Sequence, residues 1–137
     1  MLRIELQTPE TLPKEKYIQL HMDAYGKWEE HTPSIVHLWY EEDIPIAFTT
    51  INVLSPTSMC LRFMGFTKEY AGNKIKKMAY YQEVLNTFKG MGYQHIIGFV
   101  ENTNIKALFW AMRAGFRITG LRSRGALPVL LEIILEV

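Results

Sequence analysis

Residues 58–66 read SMCLRFMGF, residues 67–74 TKEYAGNK, residues 75–89 IKKMAYYQEVLNTFK and residues 95–100 HIIGFV. They predict a strand, a loop, a helix ended by Gly90 and Gly92, and a second strand. Asn102-Thr103-Asn104 then leads into a helix over about residues 105–114, followed by Gly115-Phe116. In the first helix Ile75, Met78, Ala79, Gln82, Leu85 and Phe88 recur at helical spacing and form the predicted buried face. Lys74, Lys76, Lys77, Glu83 and Asn86 take the other side. HIIGFV is short and apolar, the pattern of a strand covered on both faces.

A strand, a crossover helix and a second buried strand make a right-handed parallel βαβ unit. Such a unit opens a crevice at the carboxyl ends of its strands, beside the helix N-terminus. Unpaired N–H groups there, together with the helix dipole, favour anions. The loop at that point carries Lys68, Lys74, Lys76 and Lys77 against Glu69 alone. Residues 70–77 are therefore expected to hold a phosphate-bearing ligand.

The chain of 137 residues is long enough for one domain with a real core, taken here as residues 1–137. Its 48% hydrophobic and 21% charged residues are ordinary for a globular protein. The net charge of +1 argues against a general polyanion binder. Arg113, Arg117, Arg122 and Arg124 do not form a nucleic-acid motif, so no nucleic-acid partner is expected. Cys60 is the only cysteine and lies in an apolar strand, which implies a buried small hydrophobe in a reducing, cytoplasmic setting. No apolar run is long enough to cross a bilayer, so no membrane partner is expected. The alternating start MLRIELQ, broken at Pro9, does not read as a signal peptide. No His, Cys or carboxylate residues have metal-ligand spacing, so no metal is expected.

Leu2, Ile4 and Leu6 alternate with polar residues as a half-buried strand. Thr8-Pro9 or Thr11 is the expected cap of a helix from about Leu12 to Tyr25, whose face carries Tyr17, Leu20, His21, Ala24 and Trp28. Gly26 ends or bends it. SIVHLWYE (34–41) and IPIAFTTINV (44–53) form a hairpin about Glu42-Asp43. FRITGLR (116–122), a loop at Ser123–Ala126 and PVLLEIILEV (128–137) complete the chain. The order β-α-β-β-β-α-β-α-β-β predicts a mixed sheet with one parallel βαβ element. The last strand is apolar enough to pair across a homodimer interface.

This order, with VENTNIKALFWAMRAGF at residues 100–116, resembles the GNAT superfamily of N-acetyltransferases. The matching positions are Val100, Asn104, Ala107, Gly115 and Phe116, and the hairpin WYEEDIPIAF is similar to the family's strand 2–strand 3 turn. The resemblance implies an α/β (α+β) fold with a mostly antiparallel sheet of about seven strands, a central parallel βαβ element and helices on both faces. It implies an acyltransferase that moves an acetyl group from acetyl-CoA to a primary amine, carried by a small molecule or a peptide. Two departures are plain. Ala71, Lys74 and Lys76 stand where the family's diphosphate loop has Arg or Gln, Gly, and Gly or Ala, and only Gly72 agrees. Ala111 stands where many relatives carry a tyrosine that protonates the leaving thiolate. These departures favour the alternative, a GNAT-fold protein without catalysis that acts as a binding or interaction module.

The resemblance implies acetyl-CoA contacts at Met64, Phe66, Tyr70, Ala71, Gly72, Asn73, Lys74, Ile75, Lys76 and Asn104. The two lysines either swing out and add charge near the phosphates or fill the loop and block it. Asn104 is also a good helix cap. Glu101, at the end of a strand facing the crevice, is the candidate base for the amine, or else a solvated carboxylate. Tyr25, Trp28 and Trp39 are aromatic groups near the loop where the resemblance places the acceptor, or else core; Trp28 and Glu29 are the better candidate contacts, because loops at a crevice carry contacts. Tyr70, Tyr80 and Tyr81 are the candidate substitutes for the missing acid. His21, His37 and Trp39 read as packing residues.

Overall fold

The computed structural model describes residues 2–122 and 130–136. The chain runs β1 (Leu2–Gln7), α1 (Lys14–Tyr25), β2 (Ile35–Glu41), β3 (Ile44–Ser55), β4 (Ser58–Phe66), α2 (Lys68–Ala71), α3 (Lys74–Gly90), β5 (His95–Glu101), α4 (Ile105–Arg113), β6 (Arg117–Arg122) and β7 (Leu130–Glu136). The strands form one seven-stranded sheet in the order β1-β2-β3-β4-β5-β7-β6. Every adjacent pair is antiparallel except β4 and β5. The expected mixed, mostly antiparallel sheet with one parallel pair is therefore present. The expected loop at Ser123–Ala126 lies outside the described residues.

The parallel pair is short. It runs from Ser58 opposite His95 to Leu61 opposite Gly98 and then stops. Beyond that point β4 stays paired with β3 as far as Phe66, and β5 stays paired with β7 as far as Glu101. The two strands thus part while each keeps its outer neighbour. The parting begins at a β-bulge: Leu61 faces Ile51 and Phe63 faces Thr50, so Arg62 is an extra residue in β4. A bulge bends its strand and increases the local twist, which here turns β4 away from β5.

Alternation along β2 divides the core. Val36, Leu38 and Tyr40 join Tyr17, Leu20 and Phe48 under α1. Trp39 joins Ile51, Met59 and Ile96 with Tyr80, Val84 and Phe88 of α3 on the opposite face. A period of two in the strands and a helical period in α1 produce this arrangement. α1 lies very close to β4: a Cβ at Gly65 would stand 2.7 Å from the Phe48 ring and 2.9 Å from Ala24 Cβ.

Several expectations change. α1 starts at Lys14 after Pro13, and Thr8 and Thr11 close a turn on each other instead of capping it. The loop before α3 contains the short helix α2, whose Lys68 N–H donates to Asp23 Oδ2 at 2.8 Å. The buried stripe of α3 is Lys77, Tyr80, Val84 and Phe88, whereas Ile75 is 84% exposed. Aromatic rings form the reason: Tyr80 meets Trp39 edge-on at 4.9 Å and Phe66 at 4.7 Å, filling more volume than the Ile75–Met78 side offers. β5 is covered less fully than expected, with Ile96 and Gly98 buried and Phe99 partly exposed. β7 is paired on both edges, by β5 and β6, so it has no free edge with which to pair a second copy.

His21 and His37 are both buried, with His21 Nε2 and both ring nitrogens of His37 unpartnered. Burial, helped at His21 by the charge on His31, holds each ring at a pKa of about 4 instead of 6.5. The folded protein keeps them neutral, while the unfolded chain takes up protons first as the pH falls. The stability they leave intact above pH 6.5 is lost as the pH drops towards 4. Urea denaturation at pH 7 and pH 4.5 is expected to differ by on the order of 5 kcal/mol from these two groups. His37→Leu is expected to remove about half of that difference, and an unchanged slope would contradict the assignment. Gly65→Ala is expected to cost roughly 1–3 kcal/mol, read from the urea midpoint, because α1 must move to admit the methyl group.

Candidate active site

The parted strands border a cleft of about 510 Å³, within the usual range for ligand pockets. One wall is His21 and Tyr25 of α1, Glu29, and Arg62, Phe63 and Met64 of β4. The other is Phe99, Val100 and Glu101 of β5 with Asn104, Ala107, Trp110 and Ala111 of α4. Tyr81 of α3 stacks on Trp110 at 5.5 Å and joins the two walls.

A strand edge without a neighbour leaves its N–H and C=O groups in need of partners. At Met64 both groups find the same one. The Tyr25 hydroxyl donates to the Met64 carbonyl at 2.7 Å and accepts from the Met64 N–H at 3.2 Å. The close approach of α1 at Gly65 makes this reach possible. Burial raises the Tyr25 pKa to about 12, so the phenol stays protonated.

The start of α3 is the second set of open main-chain groups. Asn73 caps it, accepting the Lys76 N–H on its side-chain oxygen at 3.0 Å, and its carbonyl accepts the Lys77 N–H. The Lys74 and Ile75 N–H groups have no acceptor among the described residues. Of the two outcomes for the lysines, Lys76 takes the outward one, reaching Glu41 Oε1 at 2.6 Å. Lys74 is exposed. The side chain that turns inward is Lys77, only 5% exposed, with its ammonium 5.1 Å from the Phe66 ring centre and 5.3 Å from that of Trp110. Burial and the nearby Lys106 lower its pKa. Nothing stands closer than 4.0 Å to a Cβ built on Gly72, so the approach to this helix end is open.

The remaining expected residues divide. Glu101 and Asn104 lie together on the β5–α4 wall, with Met64 opposite. Asn104 performs the cap, accepting the Ala107 N–H at 3.2 Å. Glu29 lines the cleft and pairs with Lys27 at 3.1 Å. Trp28 is not presented to the cleft: it packs edge-on against Tyr17 and His21 and donates to Glu30. Tyr70 is buried, stacked with Phe66, its hydroxyl donating to the Lys76 carbonyl. Ala71 ends α2 beside it.

The sequence named Tyr25 only as an aromatic group near the acceptor loop, and His21, Arg62 and Trp110 were not expected at the site. Only the position of Tyr25, immediately before the helix-ending Gly26, marks it there. The loop bearing Glu29 is pinned by a chain of hydrogen bonds. The Glu29 carbonyl accepts from His31 Nδ1 at 2.8 Å, which leaves Nε2 to accept from the Tyr17 hydroxyl at 2.7 Å. Tyr17 in turn meets Thr50 Oγ1 at 2.5 Å. Among the described residues no group of His, Cys, Asp or Glu is arranged to hold a metal ion, and no helix is long and apolar enough to cross a membrane.

No protein-family model matches the sequence, and no curated protein matches it. Solved structures do match the fold. The ribosomal-protein-S18-alanine N-acetyltransferase from Escherichia coli superposes with a TM-score of 0.77 at 13% identity, over 99% of this chain and 94% of that one. A Bacillus subtilis acetyltransferase in complex with CoA gives 0.75 at 18% identity, over 100% and 99%. A GNAT family acetyltransferase from Elizabethkingia anophelis with acetyl-CoA bound gives 0.75 at 15%, over 99% and 98%. The chain has the GNAT acetyltransferase fold.

Proposed function

We propose that this protein is an N-acetyltransferase that moves an acetyl group from acetyl-CoA to a primary amine on a small molecule or a peptide. The observation that carries the reading is the parting of β4 and β5, which opens the cleft along a β4 main chain without a β5 partner; the start of α3, which follows β4 in the chain, adds the unpartnered Lys74 and Ile75 N–H groups. Both structures named above with CoA or acetyl-CoA bound share this fold over nearly their whole length.

In this reading the Lys74 and Ile75 N–H groups and the α3 dipole take the diphosphate, with Gly72 leaving the approach open. The side chain of Lys74 adds charge from outside. The amides of the pantetheine arm run along β4 at Met64 and Phe66, and the side-chain NH₂ of Asn104 donates from the facing wall. Glu101 takes a proton from the incoming amine, directly or through one water. Glu29, across the cleft, attracts the amine as its ammonium ion. The free amine then forms the C–N bond as the carbonyl π pair moves onto oxygen. Collapse re-forms the carbonyl and expels sulfur with its bonding pair. The lone Cys60 accords with a cytoplasmic setting.

A second reading is a binding module without turnover. It is favoured by Lys77, a cation of the first turn of α3 that is buried with its ammonium against Phe66 and Trp110 instead of being free to meet a phosphate.

Acetyl-CoA at millimolar concentration is expected to raise the melting temperature by several degrees. Release of free CoA thiol is expected when benzylamine, spermidine or a peptide with a free N-terminus is added. A shift without thiol release supports a module that binds the donor, and no shift overturns the enzyme reading. Lys74→Pro tests the helix end. Asn73 already has the extended backbone that precedes proline comfortably, so the substitution removes one N–H and leaves α3 intact. Its acetyl-CoA affinity is expected to fall roughly tenfold below that of Lys74→Ala, which keeps the N–H. Equal affinities would contradict the diphosphate site.

A further inference from the structure

We infer that Tyr25 is a catalytic residue: its hydroxyl and the Met64 N–H together form the hydrogen-bonding site for the thioester carbonyl oxygen. This rests on the acetyl-transfer reading above. Acyl transfer needs donors fixed in advance around the point where negative charge grows on the carbonyl oxygen. The α4 wall offers no hydroxyl there, since it presents Ala107, Trp110 and Ala111. Tyr80 is fully enclosed in the core, and the Tyr70 hydroxyl is committed to the Lys76 carbonyl. Tyr81 also lines the cleft, stacked on Trp110 and edge-on to Phe66 at 5.7 Å, but unlike Tyr25 its hydroxyl makes no hydrogen bond to the β4 main chain.

Tyr25 is different in kind. Its oxygen accepts from the Met64 N–H at 3.2 Å, so it stands where a ligand oxygen would accept from β4. Its own hydrogen goes to the Met64 carbonyl at 2.7 Å. A thioester carbonyl that enters takes the Met64 N–H, and the hydroxyl shifts aside and turns its hydrogen to the same oxygen. The phenol gives up its two bonds to Met64 and gains one to the ligand oxygen, and the Met64 carbonyl is released to accept from an amide of the pantetheine arm. Room exists for it. Tyr25 as a residue is 43% exposed, and Gly26 next to it, with φ of 74°, has nothing within 4 Å of a built Cβ. Burial keeps the phenol protonated well above neutral pH, so it is a donor at working pH.

The hydroxyl gives no proton away in this role. It holds the charge while nitrogen replaces sulfur on the acetyl carbon. The proton that leaves the amine and the proton that the thiolate acquires both exchange with water.

Tyr25→Phe is the test, with titration calorimetry of acetyl-CoA and of CoA and initial rates on the same amine probes. CoA lacks the carbonyl, so only acetyl-CoA affinity should respond to the hydroxyl. The expected result is CoA affinity within twofold of wild type, a loss of several-fold in acetyl-CoA affinity, and kcat lower by roughly a hundredfold with the amine KM little changed. A kcat within threefold of wild type, or equal losses for CoA and acetyl-CoA, overturns the inference. Should Tyr25→Phe fold poorly, fluorotyrosine at position 25 keeps the shape and lowers the phenol pKa. The stronger donor should then change kcat while CoA affinity stays within twofold of wild type, and an unchanged kcat overturns the inference. Failure of the underlying reading looks different: wild-type protein that binds neither acetyl-CoA nor CoA, or never releases thiol.

Discussion

From Arg62 to Phe66, β4 has a partner on one side only. Its pairing with β5 ends at Leu61 opposite Gly98, while β3 holds it on the other flank as far as Phe66. A sheet interior does not normally tolerate such an edge, because unpaired N–H and C=O groups away from water cost free energy. The bulge at Arg62 produces the edge, and the fold then has to live with it. α1 supplies the temporary partner at Met64 through Tyr25, and it does so because Gly65 lets the helix come close enough. The cleft, its polar groups and the placing of α1 all follow from one interrupted ladder.

The start of α3 obeys the same logic with different means. Four N–H groups at a helix end lack internal partners. Asn73 takes one of them on its side chain, and the Lys74 and Ile75 groups have no acceptor among the described residues. Bulky residues are compatible with this because their side chains leave: Lys76 to Glu41 and Ile75 to solvent. The cost appears at Lys77. Its stem packs in the core stripe of α3 and its ammonium rests against two aromatic faces, an arrangement worth only a modest amount compared with hydration. The charge the sequence concentrates at this loop is therefore partly neutralised and partly buried, and the main chain remains the principal anion-seeking feature.

Local periodicity carried most of the fold. The alternation in β1, the β2–β3 hairpin, the stripe of Tyr17, Leu20 and His21 in α1, and the strand–helix–strand order through β5 were all legible within short windows. The buried face of α3 was not. Ile75 and Met78 look like core residues and Lys77 like a surface one, but the neighbours of that helix are Trp39 and Phe66, and rings choose rings. The site was only half legible. Glu101 and Asn104 stand where a strand ends and a helix begins, a place that sequence marks clearly. The contact of Tyr25 with Met64 spans 39 residues and depends on a bulge and on a glycine in another element, and no local pattern records it. Trp28 shows the converse error: its loop position suggested a ligand contact, while the ring serves the aromatic cluster under α1.

The claim that most depends on this geometry is that open main-chain groups on β4 and at the start of α3 are the surface that takes the acetyl donor. Amide nitrogen–proton spectra of uniformly labelled protein, followed through a titration with acetyl-CoA, read those groups one by one. The account expects the largest displacements at Met64, Phe66, Lys74 and Ile75, saturating together with one dissociation constant. Saturable binding that leaves those four amides unmoved, or no binding at all, would contradict it.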